Sequence, residues 1–208
     1  SDSVRGLDQF SEQAYRMISS PRARDAFDLS LEPDDEIDRF GRHEFGQSTL
    51  LTTRLIEAGV RFVTVLLEGW DTHQDNFNTL GRELLPRFDQ SMSALLDRLG
   101  SSGLLASTSI LVTGEFGRTP KVNARAGRDH WAQAMCSLMA GGDVTGGSLV
   151  GATDDKAAGP DDEGFTPDDL AATFYENIGI NPKTEYQANV GRPITLIRDG
   201  SRIPGVLA

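Results

Sequence analysis

The run Val60-Arg61-Phe62-Val63-Thr64-Val65-Leu66-Leu67, followed closely by Trp70-Asp71-Thr72-His73, decides how the rest of the chain is read. Apart from Arg61 and Thr64 it is apolar on both alternating faces, the pattern of a strand covered on two sides. Asp71 and His73 then stand just past its carboxyl end, the rim where open α/β sheets bind ligands. Next comes a helical stripe of Leu80, Leu84, Phe88, Met92, Leu95, Leu96 and Leu99, with Pro86 either opening its regular part or kinking it. Gly100-Ser101-Ser102-Gly103 ends that helix and Ser109 to Thr113 supplies a second strand, so the spacing predicts a parallel, right-handed crossover. The second strand empties into Gly114-Glu115-Phe116-Gly117-Arg118-Thr119-Pro120. A third polar segment, Gly127-Arg128-Asp129-His130-Trp131, precedes the apolar run Ala134 to Ala140. For His130 to reach the rim holding His73, that run must start there and lie against the other two strands. The fold class expected is therefore α/β, a mostly parallel sheet sandwiched by helices, with one antiparallel strand near residues 134–140.

Upstream, residues 4–58 read as helical. Leu7, Phe10, Ala14, Met17 and Ile18 recur at helical spacing, and Phe45, Leu51, Leu55 and Ile56 mark a further amphipathic helix that Gly59 closes. His43 belongs to a helix face or a partner contact. Downstream, Thr166-Pro167-Asp168-Asp169 is a strong helix start: a hydroxyl cap, proline in the first turn, and carboxylates at the positive end of the helix. The chain reads as one domain over residues 1–208, with a helical lead-in at 1–58 and a sheet core at 59–208.

A chain of 208 residues carrying 38% hydrophobic and 25% charged side chains has the composition of a globular domain. Its formal charge of −11 argues against a nucleic-acid partner, whose phosphates need a cationic surface. No run of 18 apolar residues is present, so no membrane-spanning helix is expected. The single cysteine, Cys136, excludes an intramolecular disulfide and reads as a small core side chain.

Asp71 and His73, two residues apart on one loop, offer a carboxylate and an imidazole, a donor pair suited to zinc, manganese or a similar ion. The structural alternative is an Asp that caps the next turn and a His packed beside Trp70. Glu115 and Arg118 supply a ligand or base and a planar cationic fork for an anionic oxygen group; alternatively they pair with each other. Asp129-His130 forms another potential ligand pair. No GxSxG elbow or phosphate-cradling loop is present, and Thr72 and Thr119 are the hydroxyls within these segments.

The segments Glu57-Ala58-Gly59-Val60-Arg61-Phe62-Val63-Thr64-Val65, Gly69-Trp70-Asp71-Thr72-His73, Gly114-Glu115-Phe116-Gly117-Arg118-Thr119-Pro120, Gly127-Arg128-Asp129-His130-Trp131 and Ala140-Gly141-Gly142 resemble a sulfatase-like bacterial family of unknown function in the alkaline phosphatase superfamily. The resemblance implies a doubly wound α/β sandwich that hydrolyses phosphate or sulfate esters. It implies a divalent metal (zinc, manganese, calcium or magnesium) on Asp71, His73, Glu115 and His130, with Arg118 and Glu115 as catalytic groups. Phe116 stands where such proteins often carry a ligand His. The resemblance also implies that the chain is a carboxyl-terminal half, partnered by an anionic small molecule or sugar ester, and by its own amino-terminal half or a second copy. A periplasmic or exported location follows from the same likeness. The other reading is a non-catalytic binding or scaffold domain.

Overall fold

The structure, a computed structural model, describes residues 11–12, 15, 20–161, 164–187 and 191–208. The helical spacing of Leu7, Phe10, Ala14, Met17 and Ile18 lies outside the described residues. The chain divides into two compact units, one drawn from Ser1–Asp71 with Asn78–Ser101, the other from Thr72–Phe77 with Ser102–Ala208.

The first unit is helical: α1 (Pro21–Phe27), α2 (Asp34–Phe40), α3 (Glu44–Glu57) and a long helix that follows residue 76. His43 caps α3, its Nδ1 accepting the Gly46 N–H at 3.1 Å. Three threonines on α3 turn their hydroxyls back on the helix, Thr49 to Phe45 O at 2.7 Å, Thr52 to Ser48 O and Thr53 to Thr49 O both at 2.9 Å. Their polar atoms are thus satisfied locally and the residues can be buried. The long helix begins as α4 (Asn76–Thr79), widens to a π-turn at Leu80–Leu84, and continues as α5 (Leu85–Ser101). Pro86 accounts for the widening, because its ring and missing N–H disturb the preceding turn without ending the helix. Phe40, Leu50 and Leu99 are fully buried, and Phe88 stacks on Phe45 while meeting Trp70 edge-on, both with centroids 6.3 Å apart.

The sheets of the second unit are, among the described residues, two-stranded antiparallel pieces: β1 (Ile110–Val112) with β4 (Leu138–Ala140), β2 (Gly117–Arg118) with β3 (His130–Trp131), and β5 (Glu185–Gln187) with β6 (Pro193–Thr195). Its helix α6 (Pro167–Asn177) starts at Thr166 with a reciprocal capping box to Asp169. The Thr166 hydroxyl and the Ser201 N–H hold the Asp169 carboxyl down at about 2. Among the described residues no helix is long and apolar enough to cross a membrane.

These elements overturn the α/β expectation: the molecule is mostly helical, and no parallel sheet exists among the described residues. Residues 61–67 do alternate, with Val63, Val65 and Leu67 half-buried, but Phe62 and Leu66 are 75% and 78% exposed and, among the described residues, no strand pairs with the run. A period-two apolar pattern reports which face a strand would bury; it does not supply the neighbour that completes a ladder. The crossover to Ser109–Thr113 consequently fails, and β1 takes β4 instead. Cys136 is exposed, because regular pairing of the Ala134–Ala140 run begins only at Leu138.

The helical unit is also tied by a buried carboxylate. Glu32, with its side chain 9% exposed, accepts from Arg54, and Arg98 donates to it at 2.8 and 3.1 Å while reaching Glu57 at 2.9 Å. Hydrogen bonding from Arg98, then Arg54, keeps the Glu32 carboxyl below its ordinary value despite burial. A carboxyl whose folded pKa is depressed contributes stability that is complete above its unfolded pKa, about 4.3, and is lost as pH falls through that range. Glu32→Gln removes the charge shared by two guanidinium groups, while Arg98 keeps Glu57 and Arg54 keeps the Ala26 carbonyl, and should cost about 1.5–3 kcal/mol at neutral pH in urea melts, with the gap to the parent narrowing below about pH 4.

Candidate metal centre

Residues 119–129 fold on themselves first. The Asn123 Oδ1 accepts the N–H groups of Arg125 at 2.9 Å and Gly127 at 3.0 Å, and the Asn123 N–H donates to Gly127 O at 2.8 Å. Thr119 and Asp129 close the base of the loop, Thr119 N–H to Asp129 O at 2.9 Å and Asp129 N–H to the Thr119 hydroxyl at 3.1 Å. The folded loop then lies against residues 72–76 through Arg128 N–H to Thr72 O at 3.1 Å, Asp75 N–H to Arg125 O at 3.0 Å and Asn76 N–H to Ala126 O at 3.0 Å. Asp75 and Ala126 adopt positive φ, 45° and 55°, a conformation that surrounding bonds must enforce on residues other than glycine. Gly127 allows the close approach: a β-carbon there would lie 2.1 Å from the carbonyl carbon and oxygen of His73.

This docking aligns the imidazoles. With the Asp129 carboxylate as acceptor, His73 donates from Nδ1 to Asp129 Oδ1 at 2.7 Å, a bond that in the neutral ring leaves Nε2 as the lone-pair nitrogen. That lone pair faces His130 Nε2 at 3.1 Å. The His73 bond, then one from Asn123, lowers the Asp129 carboxyl below its usual range. Phe116 packs on the other ring, its centroid 4.4 Å from that of His130. Asp71, His73 and His130 each offer a donor atom within 4.8 Å of the others, a cluster that could hold a divalent metal. The donor set fits such an ion: two imidazole nitrogens bound tetrahedrally at roughly 2.0–2.1 Å stand about 3.3 Å apart, close to the observed spacing.

Of the residues singled out from sequence, Asp71, His73 and His130 converge. Arg118 pairs with His130 across the β2–β3 ladder, and its guanidinium donates to Arg128 O at 3.3 Å. Residues paired in an antiparallel ladder project from the same face, so Arg118 and His130 share one side of the ribbon. Glu115 is exposed in the bend after β1 and stands outside the three-donor cluster. The segments meet on a loop and a short ribbon, not on the edge of an open sheet.

One family model, described as a protein of unknown function (DUF1501), matches residues 1–207. The chain belongs to the DUF1501 family. No curated protein and no solved structure matches it. The match replaces the sulfatase-like assignment to the alkaline phosphatase superfamily: a single family spans nearly the whole chain, and the helical architecture is not that of the superfamily sandwich. Sequence reasoning also missed Asn123, the hub of this DUF1501 loop. Its signal was an asparagine ahead of Gly127 in a turn-rich stretch, which reads as turn formation and nothing more. Gly127→Ala should displace His73, costing about 1–3 kcal/mol and shifting the His73 ring resonances in NMR spectra. Gly146→Ala, where the added carbon meets nothing within 4 Å, should change neither.

Proposed function

We propose that this DUF1501 chain is a divalent-metal-dependent hydrolase of a phosphate or sulfate ester. Asp71, His73 and His130 hold the ion, Arg118 orients the anionic oxygens, and Glu115 serves as an acid–base group. The observation that carries the reading is the pair of imidazole nitrogens 3.1 Å apart beside a carboxylate, with the tautomer of one ring set by Asp129. Three protein donors leave a coordination position open, as catalytic ions require. Such an ion, when bound, polarises an ester oxygen and lowers the pKa of coordinated water to about 7. The chain's own contributions are distinct. His73 presents its lone pair because Asp129 accepts the proton on the other nitrogen, which also makes the ring a better donor. Phe116 covers part of the His130 ring, and Arg118 brings a fork matched to a tetrahedral oxyanion on the same ribbon face.

A second reading, a domain that holds the ion without turnover, is favoured by the hydroxyls. Thr72 donates to Asn76 Oδ1, and Thr119 donates to Lys121 O at 2.8 Å while accepting from Asp129, so each is engaged in structure. Calorimetric titration of chelator-treated protein with zinc or manganese should give saturable binding that His73→Ala and His130→Ala abolish. Aryl phosphate and aryl sulfate assays on the loaded protein then separate the readings: turnover lost in His73→Ala supports the hydrolase, and binding without turnover selects the second. Absence of binding in the parent protein would overturn both.

A further inference from the structure

Asp129 sets the His73 tautomer, yet its side chain is 51% exposed and packing does not hold its rotamer. A half-exposed carboxylate ordinarily exchanges among rotamers and water partners. Here one oxygen, Oδ1, takes two donors, His73 Nδ1 at 2.7 Å and Asn123 Nδ2 at 3.2 Å. The same Asn123 amide nitrogen donates to the backbone carbonyl of His73 at 3.0 Å. Its amide oxygen accepts from Arg125 and Gly127 N–H groups, which curves the loop. All four hydrogen-bonding positions of the primary amide are therefore used.

Resting on the metal-centre reading above, we propose that Asn123 is the positioning residue of the centre: its amide nitrogen locks the Asp129 carboxylate and the His73 backbone together and so aims the His73 Nε2 lone pair at His130. The two ends of the amide have separable duties. The oxygen end shapes the loop; the nitrogen end fixes the site. Aspartate at this position keeps the acceptor and loses the donor. Alanine loses both, and glutamine, one methylene longer, displaces both. Supporting groups of this kind typically contribute 10–100-fold to metal affinity by orienting a ligand they do not replace.

Asn123→Asp and Asn123→Ala test this with two readouts. In metal-free protein, 15N spectra of the imidazole rings should show His73 protonated at Nδ1 in the parent and a mixture of tautomers in both variants. In titrations with zinc alone, both variants should bind roughly 10–100-fold more weakly than the parent. Asn123→Asp should fold, because the loop-forming acceptor remains, and should melt below the parent, because its second carboxylate oxygen faces Asp129 Oδ1 where the amide nitrogen donated at 3.2 Å; if Asn123→Ala fails to fold, Asn123→Asp carries the test. A folded Asn123→Asp with the parent tautomer and the parent zinc Kd would overturn the proposal. If the parent protein takes up neither zinc nor manganese, the hydrolase and ion-holding readings fall, while the tautomer comparison still decides the role of Asn123.

Discussion

The bonds that close residues 119–129 onto residues 72–76 are the constraint on which the candidate centre depends. A loop of that length has many backbone donors and acceptors to satisfy before any side chain can be offered to a ligand. Asn123, Thr119 and the Asp129 backbone meet much of that need internally, and three main-chain bonds to the 72–76 segment meet more. Only because the backbone is fixed in this way do a half-exposed and an exposed imidazole hold one geometry. Positive φ at Asp75 and Ala126 shows the extent of the fixation, since each residue resists that conformation in isolation.

The helical unit solves a different problem. Its polar residues are placed inside and must be paired there: the threonines of α3 bond back to their own helix, and Glu32 gathers Arg54 and Arg98. Burying such charges gives little net stability compared with an apolar cluster, but removing one member weakens the compensation of the others. Arg98 extends from α5 to Glu57 at the end of α3 as well, so the two packed helices share a charged seam beside their apolar contact.

Some of this was legible in the sequence, and the boundary has a physical cause. The cap at Thr166, the helical stripe from Leu80 to Leu99 and the helix ended by Gly59 rest on local chemistry, which is complete within a few residues, and each has its counterpart in the structure. Asp71, His73 and His130 do converge, but not on the sheet rim from which their meeting was expected: a docked loop and a short ribbon bring them together. The parallel sheet was not readable, because Val60–Leu67 reveals its own preferences and nothing about a partner. Asn123 was invisible for a related reason: its amide works in two directions at once, and the second direction exists only after the loop has docked on His73.

The extended segment around Phe62 and Leu66 has a consequence for how copies of the molecule treat one another. An apolar edge with no covering ladder among the described residues is adhesive toward any other strand of similar character. A formal charge of −11 opposes that adhesion by mutual repulsion, so at neutral pH electrostatics performs the insulation that a neighbouring strand performs elsewhere. Acidification toward the isoelectric point, about 4.7, removes the repulsion and leaves the greasy seam exposed, which ties the colloidal behaviour of the protein to the protonation of carboxylates far from that seam.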